Sequence, residues 1–469
     1  MSVYVITIGL VGLAVFLTLK VRYKVLLGFF VMSQCFDLAP QIVFGKLISD
    51  LGAAMLLVAA TQLAFTRKTQ TNQFSFIGLF IAIFVVWLVA SLLYSLFVFG
   101  YPLSDTLKTS RHMILGYLSF FIFLRLFATD SEALEILLKW LYVITYGLLI
   151  LALVQYVLNT PLLFGLAREY DGVVRYLPRF LPICLFFLWV TFSKYFSNYP
   201  IKIHEYIYVC LTLIITATTY TRGIYIAVLF AFFVMLLLLF RGGHLKASKA
   251  SLFIAFSFIG VIVILFSGVA DRVIGRAASG LEIMLSEKAK NTKTDIDTFS
   301  GRWKLLQERT ALVLSHNPIF GYGFIHEENV PKPLRDSLEY GSVIQSPEMM
   351  EKYKRGHPYV LALYSADIGW ANIVINTGIV GLSLFIILVI SFLANYKSIL
   401  ATTGRRFTLS LAFYLQAMVL LLLMFNGNTF TYHVQIPCLM LAGFVYCSGY
   451  LQKRTTVTSF SPAIVGKII

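Results

Sequence analysis

About thirteen apolar runs of membrane-spanning length succeed one another along this chain, and one polar insertion, residues 270–367, breaks their succession. A bilayer core offers no partner to a free backbone N–H or C=O, so runs near twenty residues can cross it only as helices. They fall at 3–19, 25–42, 47–65, 76–97, 113–127, 134–158, 180–196, 206–219, 224–240, 252–269, 368–394, 409–425 and 434–451. The second is the weakest, because Gln34, Asp37, Pro40 and Gln41 interrupt it. The fold class expected is an all-α polytopic membrane protein with about 12–14 transmembrane helices and one large extracytoplasmic loop containing short helices. Its parts are an N-terminal transmembrane bundle at 1–269, the loop at 270–367, C-terminal transmembrane helices at 368–452 and a cytoplasmic tail at 453–469.

Composition excludes a soluble domain: 59% of residues are hydrophobic and 13% charged, and mean hydropathy is +0.82. The first run lacks a basic region before it and a small-residue cleavage site after it, so it reads as a retained span. Cys35, Cys184, Cys210, Cys438 and Cys447 all lie in or beside apolar runs and read as packing residues. No Cys/His pair has zinc spacing, and neither a metal nor a cofactor is implied.

The net charge of +16 is explained by orientation rather than by a nucleic-acid partner. With the insertion outside and the sides alternating, about seventeen basic residues fall in inside loops and about seven in short outside loops. The insertion balances its own acids and bases, which disfavours nucleic-acid binding. Within it, a helix is expected over 300–314 with Ser300 as N-cap, stopped by Asn317-Pro318 and followed by a turn at Gly321 and Gly323. Residues 327–356 read as a mobile lid or solvated loop.

Cations on the outside are the candidate chemistry. Arg222 sits in a very short turn between two spans, where a guanidinium cannot easily escape into bulk water. Arg302 lies at a helix start, where free N–H groups and the dipole favour an anion. Arg168, Arg175 and Arg179 share the outside loop before the seventh run. Arginine donates bidentately and stays charged at any working pH, so this set suits a diphosphate neutralised by side chains. Asp367, where the insertion meets a span, and His357 in the loop compete as general base.

Three local patterns resemble the bacterial O-antigen ligase and polysaccharide polymerase superfamily of polytopic membrane glycosyltransferases. They are Thr221-Arg222-Gly223, then Ser300-Gly301-Arg302 with Asn317-Pro318 and Gly321-Tyr322-Gly323, and then Thr377-Gly378-Ile379-Val380-Gly381-Leu382. Asp367 stands where ligases of that family carry a His-Asn pair, a departure that favours a polymerase.

The resemblance implies metal-free transfer of a glycan from an undecaprenyl-diphosphate carrier to an acceptor hydroxyl, with inversion at the anomeric carbon. Arg222 and Arg302 would hold the diphosphate, with Arg175 and Arg179 assisting; Asp367 or His357 would deprotonate the acceptor; Tyr322, Tyr353 and Tyr359 would stack on sugar faces. The expected place is the bacterial cytoplasmic membrane, with the loop outside. The expected partners are undecaprenyl-diphosphate-linked oligosaccharide as donor and acceptor, membrane lipid and a candidate chain-length regulator protein. Alternatives are ligase-type transfer to lipid A core, protein or wall polymer, and a lipid-glycan flippase, which would need charged midplanes and inverted repeats.

Overall fold

The computed structural model describes residues 14–33, 37, 42–43, 46–65, 76–163, 166–170, 173–219, 221–244, 299–341, 361–365, 368–394, 396–400, 404–424 and 442. The spans expected at 252–269 and 434–451, most of that at 3–19, and the tail lie outside them. The described residues hold thirteen α-helices: α1 Val21–Ser33, α2 Ile48–Phe65, α3 Phe76–Phe97, α4 Leu103–Thr129, α5 Ser131–Leu158, α6 Leu181–Phe196, α7 Ile203–Thr218, α8 Arg222–Arg241, α9 Phe299–His316, α10 Lys332–Asp336, α11 Gly369–Ala394, α12 Tyr396–Leu400 and α13 Gly404–Leu423. Two short antiparallel pairs accompany them, β1 Ile42–Val43 with β2 Lys46–Leu47 and β3 Leu166–Tyr170 with β4 Val173–Leu177.

Five helices (α3, α4, α5, α8 and α11) are long and apolar enough to cross a membrane, and α2, α6, α7 and α13 are shorter apolar helices. α3 is apolar on all faces: it buries Phe84 and Leu88 while Val86 is 69% exposed and Leu79 and Leu93 are also outward. In water that surface would be a liability; against lipid tails it is solvated, and the chain is an all-α polytopic integral membrane protein.

In the weak second run the described helix α1 extends to Ser33, and Asp37 beyond it takes a left-handed backbone (φ 51). The run expected at 113–127 is longer than its apolar part, since α4 begins at Leu103. Asp130 separates α4 from α5 and caps the latter, accepting from Glu132 N at 3.1 Å and Ala133 N at 3.2 Å.

Neighbouring helices pack as α1 on α2, α4 on α3 and α2, α3 on α11, α11 on α9, α7 on α5 and α6, and α13 on α6 and α8. Phe84 joins the α3, α4 and α11 layers, with Tyr117 at 5.0 Å and Phe385 at 5.7 Å between ring centroids. One end of the bundle carries a belt of ion pairs: Arg22 with Glu132 (3.0 Å) and Asp130 (3.5 Å), Lys194 with Glu205 (2.6 Å) and Arg405 with Glu135 (2.7 Å). The polar segment after α9 lies at the other end.

Candidate functional site

At that other end, a turn and a broken helix are built to fit each other. Pro318 lacks the N–H a further helical turn needs, so α9 stops at His316, and Asn317 N closes the last turn on Val313 O at 2.9 Å. Gly321 (φ 66) and Gly323 (φ 64) then fold the chain back, as their spacing predicts. Gly378 breaks α11 with φ 66 and ψ −168, a conformation in practice open only to glycine.

These two interruptions face one another. A methyl on Gly321 would stand 2.9 Å from Gly378 N, and one on Gly378 would stand 2.7 Å from Gly321 N. Tyr322 N donates to Ile375 O at 2.8 Å, and Ile379 N donates to Pro318 O at 2.9 Å, so the turn satisfies backbone groups around the break. Phe320 stacks on both Trp87 (4.7 Å, 5°) and Tyr94 (4.5 Å, 13°) of α3. Trp87 Nε1 donates to Thr377 O at 3.0 Å. Ser95 Oγ, held by Ser91 O at 2.7 Å, accepts from Phe324 N at 2.7 Å. Residues 317–324 therefore form a clasp between the loop, α3 and α11.

Buried side chains hold the segment that leads back to α11. Arg309, wholly buried, donates from Nε to Leu363 O at 2.9 Å and from Nη2 to Ala362 O at 3.0 Å and Tyr340 O at 2.6 Å, with Glu308 as its ion-pair partner. The Glu327 carboxylate accepts from Leu363 N at 3.2 Å and Tyr364 N at 2.8 Å and pairs with Arg335 at 3.7 Å. Asn372 accepts from Ser365 N at 2.9 Å and donates to Ser365 O at 2.7 Å. Gly369 N donates to Met424 O at 2.9 Å. Both flanks of position 367 are thus anchored.

One expectation is corrected here. α9 begins at Phe299, so Ser300 lies inside the helix instead of capping it. The described part of the expected lid, 327–341, keeps Glu328, Pro331, Lys332, Pro333, Asp336, Ser337 and Glu339 exposed and is anchored by buried Val330, Arg335 and Leu338.

The two main arginines open helices at the same end. α8 and α13 run antiparallel, because His244, just past the end of α8, meets Phe407 in the first turns of α13 (ring centroids 4.3 Å apart). Arg222, at the start of α8, is consequently level with Met424, just past the end of α13, whose carbonyl receives Gly369 N. Arg302 lies one turn before Leu305, which packs with Ile368 and Ala371 next to Gly369. Thr221 makes no side-chain cap to α8; its hydroxyl donates to Thr219 O at 3.0 Å.

Arg179 follows the β3–β4 hairpin, in which Arg168 and Arg175 are cross-strand partners. Its backbone N donates to Asp37 Oδ2 at 2.8 Å, and its Nε stands 3.5 Å from Asp37 Oδ1. Burial raises the Asp37 carboxyl to about 6, while Arg179 pulls in the opposite direction. Asp37 lines a small cleft with Gln155, Tyr156, Tyr176, Pro178 and Thr218, beside the turn that leads to Arg222. Sequence reasoning noticed Asp37 only as an interruption of a span; an acid among apolar residues was the available signal.

Tyr322 is 7% exposed, in an apolar cluster with Val313, Ile325 and Leu363. Tyr353, His357, Tyr359 and Asp367 lie outside the described residues. Sequence reasoning also missed Arg309, Glu327 and Asn372, whose roles depend on contacts with remote backbone.

The model of the O-antigen ligase family matches residues 207–386, from within α7 to the middle of α11. This supports the O-antigen ligase and polymerase superfamily and does not distinguish its branches. No curated protein matches the chain.

Proposed function

We propose, from the superfamily that residues 207–386 support, that this chain is a membrane glycosyltransferase joining undecaprenyl-diphosphate-linked oligosaccharide repeats into a surface polysaccharide at the outer face of the bacterial cytoplasmic membrane. The observation that supports the reading is that the matched region contains both arginine-bearing helix starts, those of α8 and α9, together with the clasp between residues 317–324 and α11. Glycosyl transfer from a diphosphate needs fixed positive charge where the leaving group develops, and helix-start arginines supply it without a bound ion. Arg175 and Arg179 add charge from the hairpin side. The acceptor hydroxyl must lose a proton, for which Asp367 and His357 are the candidate bases.

Purified protein in proteoliposomes, supplied with lipid-linked repeat units, tests this. Chain growth on the carrier is the expected product. Arg222→Ala and Arg302→Ala should each abolish it while the protein still accumulates in the membrane; unaltered product in both variants removes the arginine clamp. Ligase-type transfer is the second reading, favoured by the description of the matching family. A single transfer to a foreign acceptor, without chain growth, selects it.

A further inference from the structure

The turn that fills the break in α11 lies deeper than a loop outside the membrane would. α3 has 22 residues, so it is about 33 Å long, close to the thickness of a hydrocarbon core, about 30 Å. Trp87, on which Phe320 stacks, stands ten residues before Phe97, the end of α3, or about 15 Å down that helix. Ile379, whose N donates to Pro318 O, stands ten residues after Gly369, the start of α11, again about 15 Å. Two membrane-crossing helices thus give one depth for residues 318–320.

α9 leads down to it. Leu305 packs with Ile368 and Ala371 at the start of α11, and Val313 shares a cluster with Val374 and Ile375 further along. The charged residues at this end of α4 stop higher. Lys108, paired with Asp105, and Arg111, paired with Asp50, stand five and eight residues inside Leu103, or about 8 and 12 Å down.

The face that α9 turns outward suits that depth. Its exposed residues Trp303, Gln307, Ala311, Leu314 and then Pro318 recur at helical spacing, and Ile319 continues them; Leu314 is 54% and Ile319 55% exposed. None of them carries a charge, although α9 has charges to place: Arg309 is wholly buried, and Glu308 pairs with it. On a helix facing water the outer surface is the ordinary place for such groups, and here the arrangement is reversed. Trp303, two residues before Leu305, is level with the start of α11, where an aromatic side chain anchors a helix among headgroups. Ser315 Oγ and His316 Nδ1 bond each other at 2.8 Å, so these exposed polar side chains find a partner within α9. Irregular backbone at membrane depth also needs internal partners. Gly321 N donates to Asn317 O at 2.9 Å, Tyr322 N to Ile375 O and Phe324 N to Ser95 Oγ, while Pro318 has no N–H to satisfy.

We infer that the C-terminal half of α9 and the turn after it form a re-entrant element, whose outward face at Leu314, Pro318 and Ile319 contacts the acyl chains of membrane lipid. Lipid is the partner because the face is continuous with surface that lipid already covers. Val86 and Val380 are exposed next to Trp87 and Ile379, the two residues that receive the turn, and Leu93 and Phe97 extend that surface along α3. The insertion expected outside at 270–367 is, on this inference, not wholly outside. The inference concerns where the chain lies and is independent of the reaction it performs.

Spin labels on single cysteines test it in proteoliposomes, using a chain whose five native cysteines are replaced. Leu314→Cys and Ile319→Cys are compared with Lys332→Cys and Ser337→Cys, at exposed positions of the following segment. Oxygen concentrates in hydrocarbon and a neutral nickel chelate in water, so the ratio of their collision rates with the label reads depth. That ratio at 314 and 319 should exceed the ratio at 332 and 337 by at least about tenfold.

Equal ratios overturn the inference, because the face then meets water. Labels shielded from both reagents also overturn it, because another part of the chain or a second copy then covers the face. If the cysteine-free chain does not accumulate in the membrane, the unaltered protein decides. Phospholipid carrying a diazirine in its acyl chain should, on irradiation, mark the peptide that holds 314–319 and leave 327–339 unmarked; no mark on 314–319 refutes the lipid contact.

Discussion

Gly378→Ala tests the clasp most directly. The native φ of 66 and ψ of −168 would cost alanine about 1–3 kcal/mol of backbone strain. The added methyl would also fall on the Ile319 carbonyl and 2.7 Å from Gly321 N, both backbone, so no side chain can rotate away. Against this, docking is held by two backbone hydrogen bonds and the Phe324 N–Ser95 Oγ bond, worth about 0.5–1.5 kcal/mol each, and by the Phe320 stacks on Trp87 and Tyr94, of similar size. The strain and a backbone-to-backbone clash that no rotamer can relieve offset a large part of what holds the turn, so local undocking is the expected response and the helices of the bundle persist. The expected result is a membrane-resident protein whose segment 317–341 becomes sensitive to added protease and whose transfer activity is lost. Gly243→Ala is the control, since Gly243 has φ 67 but nothing within 4 Å of a new methyl; it should cost only about 1 kcal/mol and leave both readouts unchanged. Equal protease resistance and activity in the two variants would refute the reasoning.

The other expectations concern the segment behind the clasp. Arg309→Met leaves three carbonyls and Glu308 without their donor and should lower stability by about 3–5 kcal/mol, seen as a fall in melting temperature in detergent. Glu327→Gln keeps one acceptor oxygen for two N–H groups and should cost about 1–3 kcal/mol by the same measurement. Asn372→Ala frees both backbone groups of Ser365 and should reduce kcat more than donor KM, read from transfer kinetics. Glu135→Ala removes a half-exposed ion pair with Arg405 and should change stability by less than about 1 kcal/mol.

Much of the architecture was legible because its cause is local. A run such as 76–97 is apolar on every face and becomes α3 whatever surrounds it, and Asn317-Pro318 ends α9 through the chemistry of proline itself. Gly321 and Gly323 announced a turn, but not that it would lock into a break at Gly378, because the sequence separation hides the pairing of two glycines. Trp87 and Tyr94 read only as apolar span residues until Phe320 was found against them. Arg309 falls within the helix expected over 300–314 and nothing there singles it out; its burial follows from the carbonyls of 340, 362 and 363, which no local pattern predicts. Asp37 was visible as a misfit in an apolar run, and its partner 142 positions away was not.

The clasp also bears on how such proteins can be re-engineered or diverge. Half of its parts, Trp87, Tyr94 and Ser95, reside in a membrane helix more than two hundred positions upstream of the turn they receive. A graft that exchanges only the polar segment between α9 and α11 between relatives would bring a plug without its socket. Functional chimaeras should therefore arise only when the C-terminal half of α3 and the glycine break of α11 travel with the graft as one inherited unit.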